Sequence, residues 1–135
     1  MNRTTFARVA AVVSLVNGIP GLIAPAAFAS FYGVTIDSQG ALAAQLLAGS
    51  YIGYGVINWM TRGCTDASLR RGIDAGNLVA WVSGAFIWIY AASTGMSDAL
   101  GWFGAGLALV FTLGWAYFLV ADRAVAPRVI RVAPR

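Results

Sequence analysis

The chain contains no histidine, lysine or glutamate, has a single cysteine, and only 10% of its residues are charged. Each shortage excludes something. Without histidine, the commonest metal ligand, the usual axial ligand of haem and the side chain that exchanges protons near neutral pH are all missing. One cysteine, Cys64, cannot form a disulfide within the chain or build a thiolate cluster. It lies between Arg62 and Asp66 with no base beside it, and reads as an incidental loop thiol. The acidic residues are all aspartates, none clustered to hold a metal, and there is no GxSxG, Walker or strand-borne GxGxxG motif. The expectation is therefore a protein that is not an enzyme, with no catalytic residue, no metal and no cofactor.

What is present is apolar. Hydrophobic residues make up 59% of the 135 positions, against about 45–50% for a soluble domain, and mean hydropathy is +0.74. Four apolar stretches, about 6–23, 41–61, 73–92 and 100–121, each approach the roughly 20 residues that cross a bilayer core. Short connections carry the turn signals Tyr32-Gly33, Ser38-Gln39-Gly40, Arg62-Gly63 and Ser93-Thr94-Gly95. Short links between neighbours predict an all-α, integral membrane four-helix bundle of up-down-up-down order, forming one domain over 1–135.

The cations set an orientation. Arg3 and Arg8 precede the first stretch, Arg62, Arg70 and Arg71 fall between the second and third, and Arg123, Arg128, Arg131 and Arg135 follow the fourth; the other two connections carry only Asp37 and Asp98. The positive-inside rule places both termini in the cytoplasm. A net charge of +4 distributed this way fits anionic lipid and topology, so no nucleic-acid partner is expected. The tail 123–135 is expected to lie at anionic headgroups or in solvent. The arginine-only, aspartate-only usage is read as that of a GC-rich bacterium, which makes the expected location the inner membrane.

The first stretch has a competing reading as a signal peptide, with Ala27-Phe28-Ala29 as a small-x-small cleavage site; we assign it as a retained span. Asn17-Gly18-Ile19-Pro20-Gly21 is expected to kink it. Pro25 is suited to open a short interfacial helix over about 26–31, anchored by Phe28, Phe31 and Tyr32. That helix is either an interfacial elbow, the preferred reading, or a re-entrant feature lining a site.

Spacing of three or four residues puts Asp74, Asn77, Trp81, Gly84 and Trp88 on one face of the third span, and Val79, Val82, Phe86, Ile89 and Tyr90 on another. The polar and aromatic face is expected inside. Asp74 is the sharpest candidate for a proton or ligand site, since an intramembrane carboxylate is costly unless paired or hydrated. The structural alternative sets it in the first helical turn, stabilised by the helix dipole and by Arg70 and Arg71. In the second span, Gln45, Gly49, Ile52, Gly53 and Val56 form a small-residue stripe expected to pack helices through Gly49-x-x-x-Gly53. Tyr51, Tyr54 and Asn58 gather elsewhere on it, to bind a ligand or to join helices. The fourth span offers Gly101, Gly104, Ala105, Ala108 and Thr112 for packing, with Phe103, Leu107, Val110 and Phe118 opposite.

The runs Phe31-Tyr32-Gly33-Val34, Gly40 to Gly49, Asn58-Trp59-Met60-Thr61-Arg62 and Arg70-Arg71-Gly72-Ile73 resemble those of small bacterial four-span DoxX-like membrane proteins. The resemblance implies the bundle, and a membrane component associated with redox or stress systems. Three functions remain open. The leading one is association, as a homo-oligomer or an accessory subunit of a larger complex, with membrane lipids and protein subunits as partners. The others are a carrier or binder of a small apolar or lipid-like molecule held by Asp74, Asn77, Trp81, Trp88, Tyr51, Tyr54 and Asn58, and a proton-coupled transporter dependent on Asp74.

Overall fold

The computed structural model describes residues 1–125, with side chains to Ala121. The expectation for the basic tail 123–135 lies outside the described side chains. Five helices follow one another: α1 (Arg3–Ile23), α2 (Pro25–Phe31), α3 (Ser38–Thr61), α4 (Ala67–Ser93) and α5 (Ala99–Val125). α1, α3, α4 and α5 are each long and apolar enough to cross a membrane. The protein is a multi-pass membrane protein built as an all-α four-helix bundle.

Local chemistry explains where the helices begin. Asn2, Asp37 and Asp66 are N-caps whose side chains accept from the backbone N–H groups of Thr5, Gly40 and Leu69 at 2.9, 2.8 and 2.7 Å. Asp98 does the same for Leu100 at 2.8 Å, just ahead of α5. Three aspartates thus serve helix starts. Asp66 also moves the start of α4 to Ala67, well before the expected 73, because the cap satisfies the first turn's N–H groups through a segment too polar to register as apolar. α1 runs unbroken through Pro20 and ends at Ile23, where the Ala24 N–H bonds Pro20 O at 2.8 Å. Pro25 then opens α2, whose missing N–H costs nothing at a first turn.

Contacts along the helices show the up-down-up-down order. Gly18 of α1 lies against Ala48 and Ile52 of α3, and Gly55 of α3 against Leu15 and Ala11, so the two run antiparallel. Trp88 of α4 lies on Gly104 of α5, and Trp81 stacks on Phe111 at 4.4 Å between centroids, again antiparallel. The molecule is two hairpins, α1/α3 and α4/α5, each tightly apposed, while the hairpins approach each other at few backbone positions. Between them lie large rings. Phe6 meets Phe111, Trp115 and Phe118 at 5.4, 4.9 and 5.4 Å. Rings of this size fill a wide gap that alanine and glycine could not.

The tight seams use glycines other than those expected. A Cβ on Gly18 would come within 2.9 Å of Ala48 O, and one on Gly55 within 2.7 Å of Leu15 Cγ. Gly49 and Gly53 have nothing within 4 Å. The buried positions of α3 are Ala48, Gly55 and Asn58, so the GxxxG lies on the outward face with Leu42, Leu46 and Val56. A seven-residue repeat of small residues admits two neighbouring faces, and α1 docks on the one that offers Gly55. In α5, Gly104 does pack, beneath Trp88, and Gly101 is buried beside Ser97. Leu107 and Phe118, expected opposite the packing face, are partly buried against the core.

At the end remote from the arginines, Gly33 has φ +71°, and a Cβ there would stand 2.9 Å from Asp98 Cβ. Glycine permits both the left-handed turn and the close approach. The Asp98 N–H bonds Tyr32 O at 3.2 Å, which joins the α2–α3 and α4–α5 connections across the hairpins.

Candidate functional site

The space between the hairpins is filled differently at its two ends. At the arginine-bearing end, polar groups from three helices converge. Asp74, fully buried, accepts from Arg3 Nε at 2.9 and 3.1 Å and from an Arg3 Nη at 2.6 Å. This forked pairing matches guanidinium to carboxylate. Asp74 lies two turns inside α4, so the expected first-turn placement and stabilisation by the helix dipole do not hold; the compensating charge comes from Arg3 on α1. One turn on, Asn77 and Asn58 exchange amide bonds at 2.8 and 3.0 Å, and Asn77 also donates to Ile73 O at 2.9 Å. Asp74 and Asn77 therefore tie α4 to α1 and to α3. In a lipid surround, such pairs hold helices together because the alternative is an unsatisfied polar group in hydrocarbon. Nearby, the wholly buried Trp115 indole N–H has no hydrogen-bond partner among the described residues.

Toward the other end the filling stops. Two apolar cavities of about 380 Å³ each lie between the hairpins and share the wall Tyr51, Trp81, Gly84 and Trp88. One runs along the α3–α4 seam past Ser14, Ser50 and Tyr54. The other extends under α2, past Asn17, Phe28 and Tyr32, to Phe103 on α5. The volumes fall in the range of small-molecule sites. A third, wider hollow of about 600 Å³ lies between the arginine-side ends of α3 and α4, floored by Gly72 and Gly76.

The helical face of α4 explains the site. Asp74, Asn77, Trp81 and Ala85 are buried, with Trp88 half-buried, while Val79, Val82, Phe86 and Tyr90 point outward. Gly84 leaves open space where any other residue would project a side chain into the cavities. α2 has no buried residue. It nevertheless turns Phe28 and the adjoining Tyr32 toward the cavity, and Tyr32 meets Trp88 at 4.9 Å. The Tyr32 hydroxyl faces Asn17 Oδ1 at 3.4 Å, and burial pushes its pKa above the ordinary phenol range, so it stays a protonated donor.

The candidate residues thus separate. Trp81, Trp88, Tyr51 and Tyr54 line cavities; Asp74 is engaged with Arg3 of α1, and Asn77 and Asn58 with each other, with Asn77 also edging the wider hollow. Sequence reasoning missed Arg3, Ser14, Asn17 and Tyr32. Arg3 had a usable signal, since up-down-up-down order puts the starts of α1 and α4 at the same membrane face. Among the described residues, no group of three acidic or cysteine side chains is placed to hold a metal.

The chain matches no protein-family model, no curated protein and no solved structure.

Proposed function

We propose that the protein is a non-enzymatic binding protein that holds one small apolar or lipid-like molecule between its two hairpins. The observation that carries this reading is the pair of cavities sharing the Tyr51, Trp81, Gly84 and Trp88 wall, next to a ring cluster of Phe6, Phe111 and Trp115 that fills the space between α1 and α5. Ser14, Asn17 and the tyrosine hydroxyls supply the few polar points that orient a ligand in an apolar site. The placement of the arginines supports an orientation with both termini in the cytoplasm, and the arginine-only, aspartate-only usage supports a bacterial inner membrane. Kinship with DoxX-like proteins belongs to the same proposal.

Native mass spectrometry of protein extracted gently from membranes tests it. The wild type is expected to retain a small non-protein mass, and Gly84→Leu, whose Cβ meets no neighbouring atom and whose side chain projects into the shared space, to lose it. A wild-type spectrum free of adducts under conditions that preserve the fold would sink the reading.

A second reading, association through α3 as a homo-oligomer or as an accessory subunit, is favoured by the open space over Gly49 and Gly53 on an outward face. Bare glycine backbone in lipid permits a close helix approach. Cross-linking in native membranes should recover a dimer or a partner, and Gly49→Ile should abolish it.

A further inference from the structure

The cavity beneath α2 is lined by aromatic rings from four successive parts of the chain, of which Trp81 is buried, Phe28, Tyr32, Tyr51 and Trp88 are half-buried, and Phe103 is exposed on its outer side. Phe28 of α2, Tyr32 beyond it, Tyr51 of α3, Trp81 and Trp88 of α4 and Phe103 of α5 all line it. Interfacial anchoring does not account for the buried and half-buried ones among them. Among the tryptophans, Trp59 and Trp102, at 44% and 55% exposure, are outward rings suited to headgroups, whereas Trp81 is 8% exposed. A ring presents a partial negative charge on each face, so rings enclosing a volume attract a cation that has shed its water.

Charge around the cavity agrees. Among the described residues, no arginine lines either cavity. The connections at this end carry only Asp37 and Asp98 as charged residues. Asp98 lies beside Tyr32, one of the lining residues, its N–H on Tyr32 O at 3.2 Å and its side chain against Gly33. A carboxylate next to a lining residue raises the local concentration of cations without placing a bare charge inside. The polar atoms within reach include Asn17 Oδ1, an acceptor suited to a positive ligand.

We infer that the ligand is a lipophilic cation, an apolar molecule carrying a permanently charged quaternary ammonium group, caged by Trp81, Trp88, Tyr32 and Tyr51. This inference rests on the cavity being a binding site, and adds the sign of the charge it selects. A neutral lipid-like molecule of the same shape fills the same volume but forgoes the attraction of the ring faces.

The test compares two isosteres, benzyltrimethylammonium and neopentylbenzene, by tryptophan fluorescence titration and saturation-transfer NMR on the full chain in lipid nanodiscs. The ammonium compound is expected to bind at least about tenfold more tightly than its carbon isostere, since a desolvated cation–ring contact is worth that much. Trp88→Leu should erase the preference, Asp98→Asn should weaken ammonium binding mainly at low salt, and Gly84→Leu should abolish binding of both probes. Equal affinity for the two isosteres would overturn the inference and leave the cavity reading standing. Failure of both probes to bind wild type, with Gly84→Leu indistinguishable from it, would overturn both.

Discussion

Removing Arg3 is expected to destabilise the bundle more than neutralising Asp74, although the two residues form one ion pair. The asymmetry follows from burial and position. Asp74 is 0% exposed and Arg3 11%, so both ends of the pair are withdrawn from solvent. Arg3→Ala leaves a carboxylate two turns inside α4 with its compensating charge gone, a situation that costs about 3–5 kcal/mol. Asp74→Asn keeps the shape and one acceptor oxygen. The orphaned guanidinium lies in the first turn of α1, from which a long side chain can extend to the headgroups, so the cost falls to about 1–3 kcal/mol. The double variant Arg3→Met/Asp74→Leu removes both charges and fills the space with hydrocarbon; its stability should return to within about 1 kcal/mol of wild type or exceed it. Reversible unfolding in mixed micelles, followed by helicity and by tryptophan emission, gives the order. If Arg3→Ala proved no worse than Asp74→Asn, or if the double variant were as unstable as the sum of the singles, the pair would not be the buried electrostatic clamp described here.

Other outcomes follow from the packing. Gly18→Ala should lose stability, because a Cβ 2.9 Å from Ala48 O forces the α1–α3 hairpin apart at a cost of about 1–3 kcal/mol, more than the roughly 1 kcal/mol gained in helix propensity. Gly49→Ala meets open space and should gain up to about 1 kcal/mol in the same unfolding assay. A double-mutant cycle on Asn58→Ala and Asn77→Ala should return a coupling of about 0.6–1.7 kcal/mol; a value near zero would mean that the paired amides do not join α3 to α4. Cys64, alone of its kind and in the α3–α4 connection, reports topology: a membrane-impermeant maleimide should label it in inverted vesicles and spare it in intact spheroplasts, and the reverse pattern would invert the assigned orientation.

Hydropathy carried the spans because crossing a bilayer is a demand on composition and length, both local properties. The inward face of α4 was legible for the same reason, since Asp74, Asn77 and Trp81 recur at helical spacing and lipid rejects polar groups on the other side. Helix starts were less legible. Asp37, Asp66 and Asp98 read as loop charges, and only the backbone geometry shows them bonded to the N–H groups two or three residues on. The choice between Gly49/Gly53 and Gly55 as the packing face of α3 depended on where α1 places Leu15 and Gly18, which no pattern within α3 contains.

The amino-acid sequence by itself determined a chain that must fold into apolar helices with its arginines at one face, because unpaired backbone and unpaired charge are both too costly in hydrocarbon. Tertiary structure alone decided which helices became neighbours. Each hairpin closes on a seam of glycine and alanine, large rings fill the space between the hairpins and the Arg3–Asp74 pair ties α1 to α4, and the mismatch in side-chain size leaves cavities around Trp81 and Trp88. A cavity is a deficit of volume shared by four helices, so it exists only once they have met.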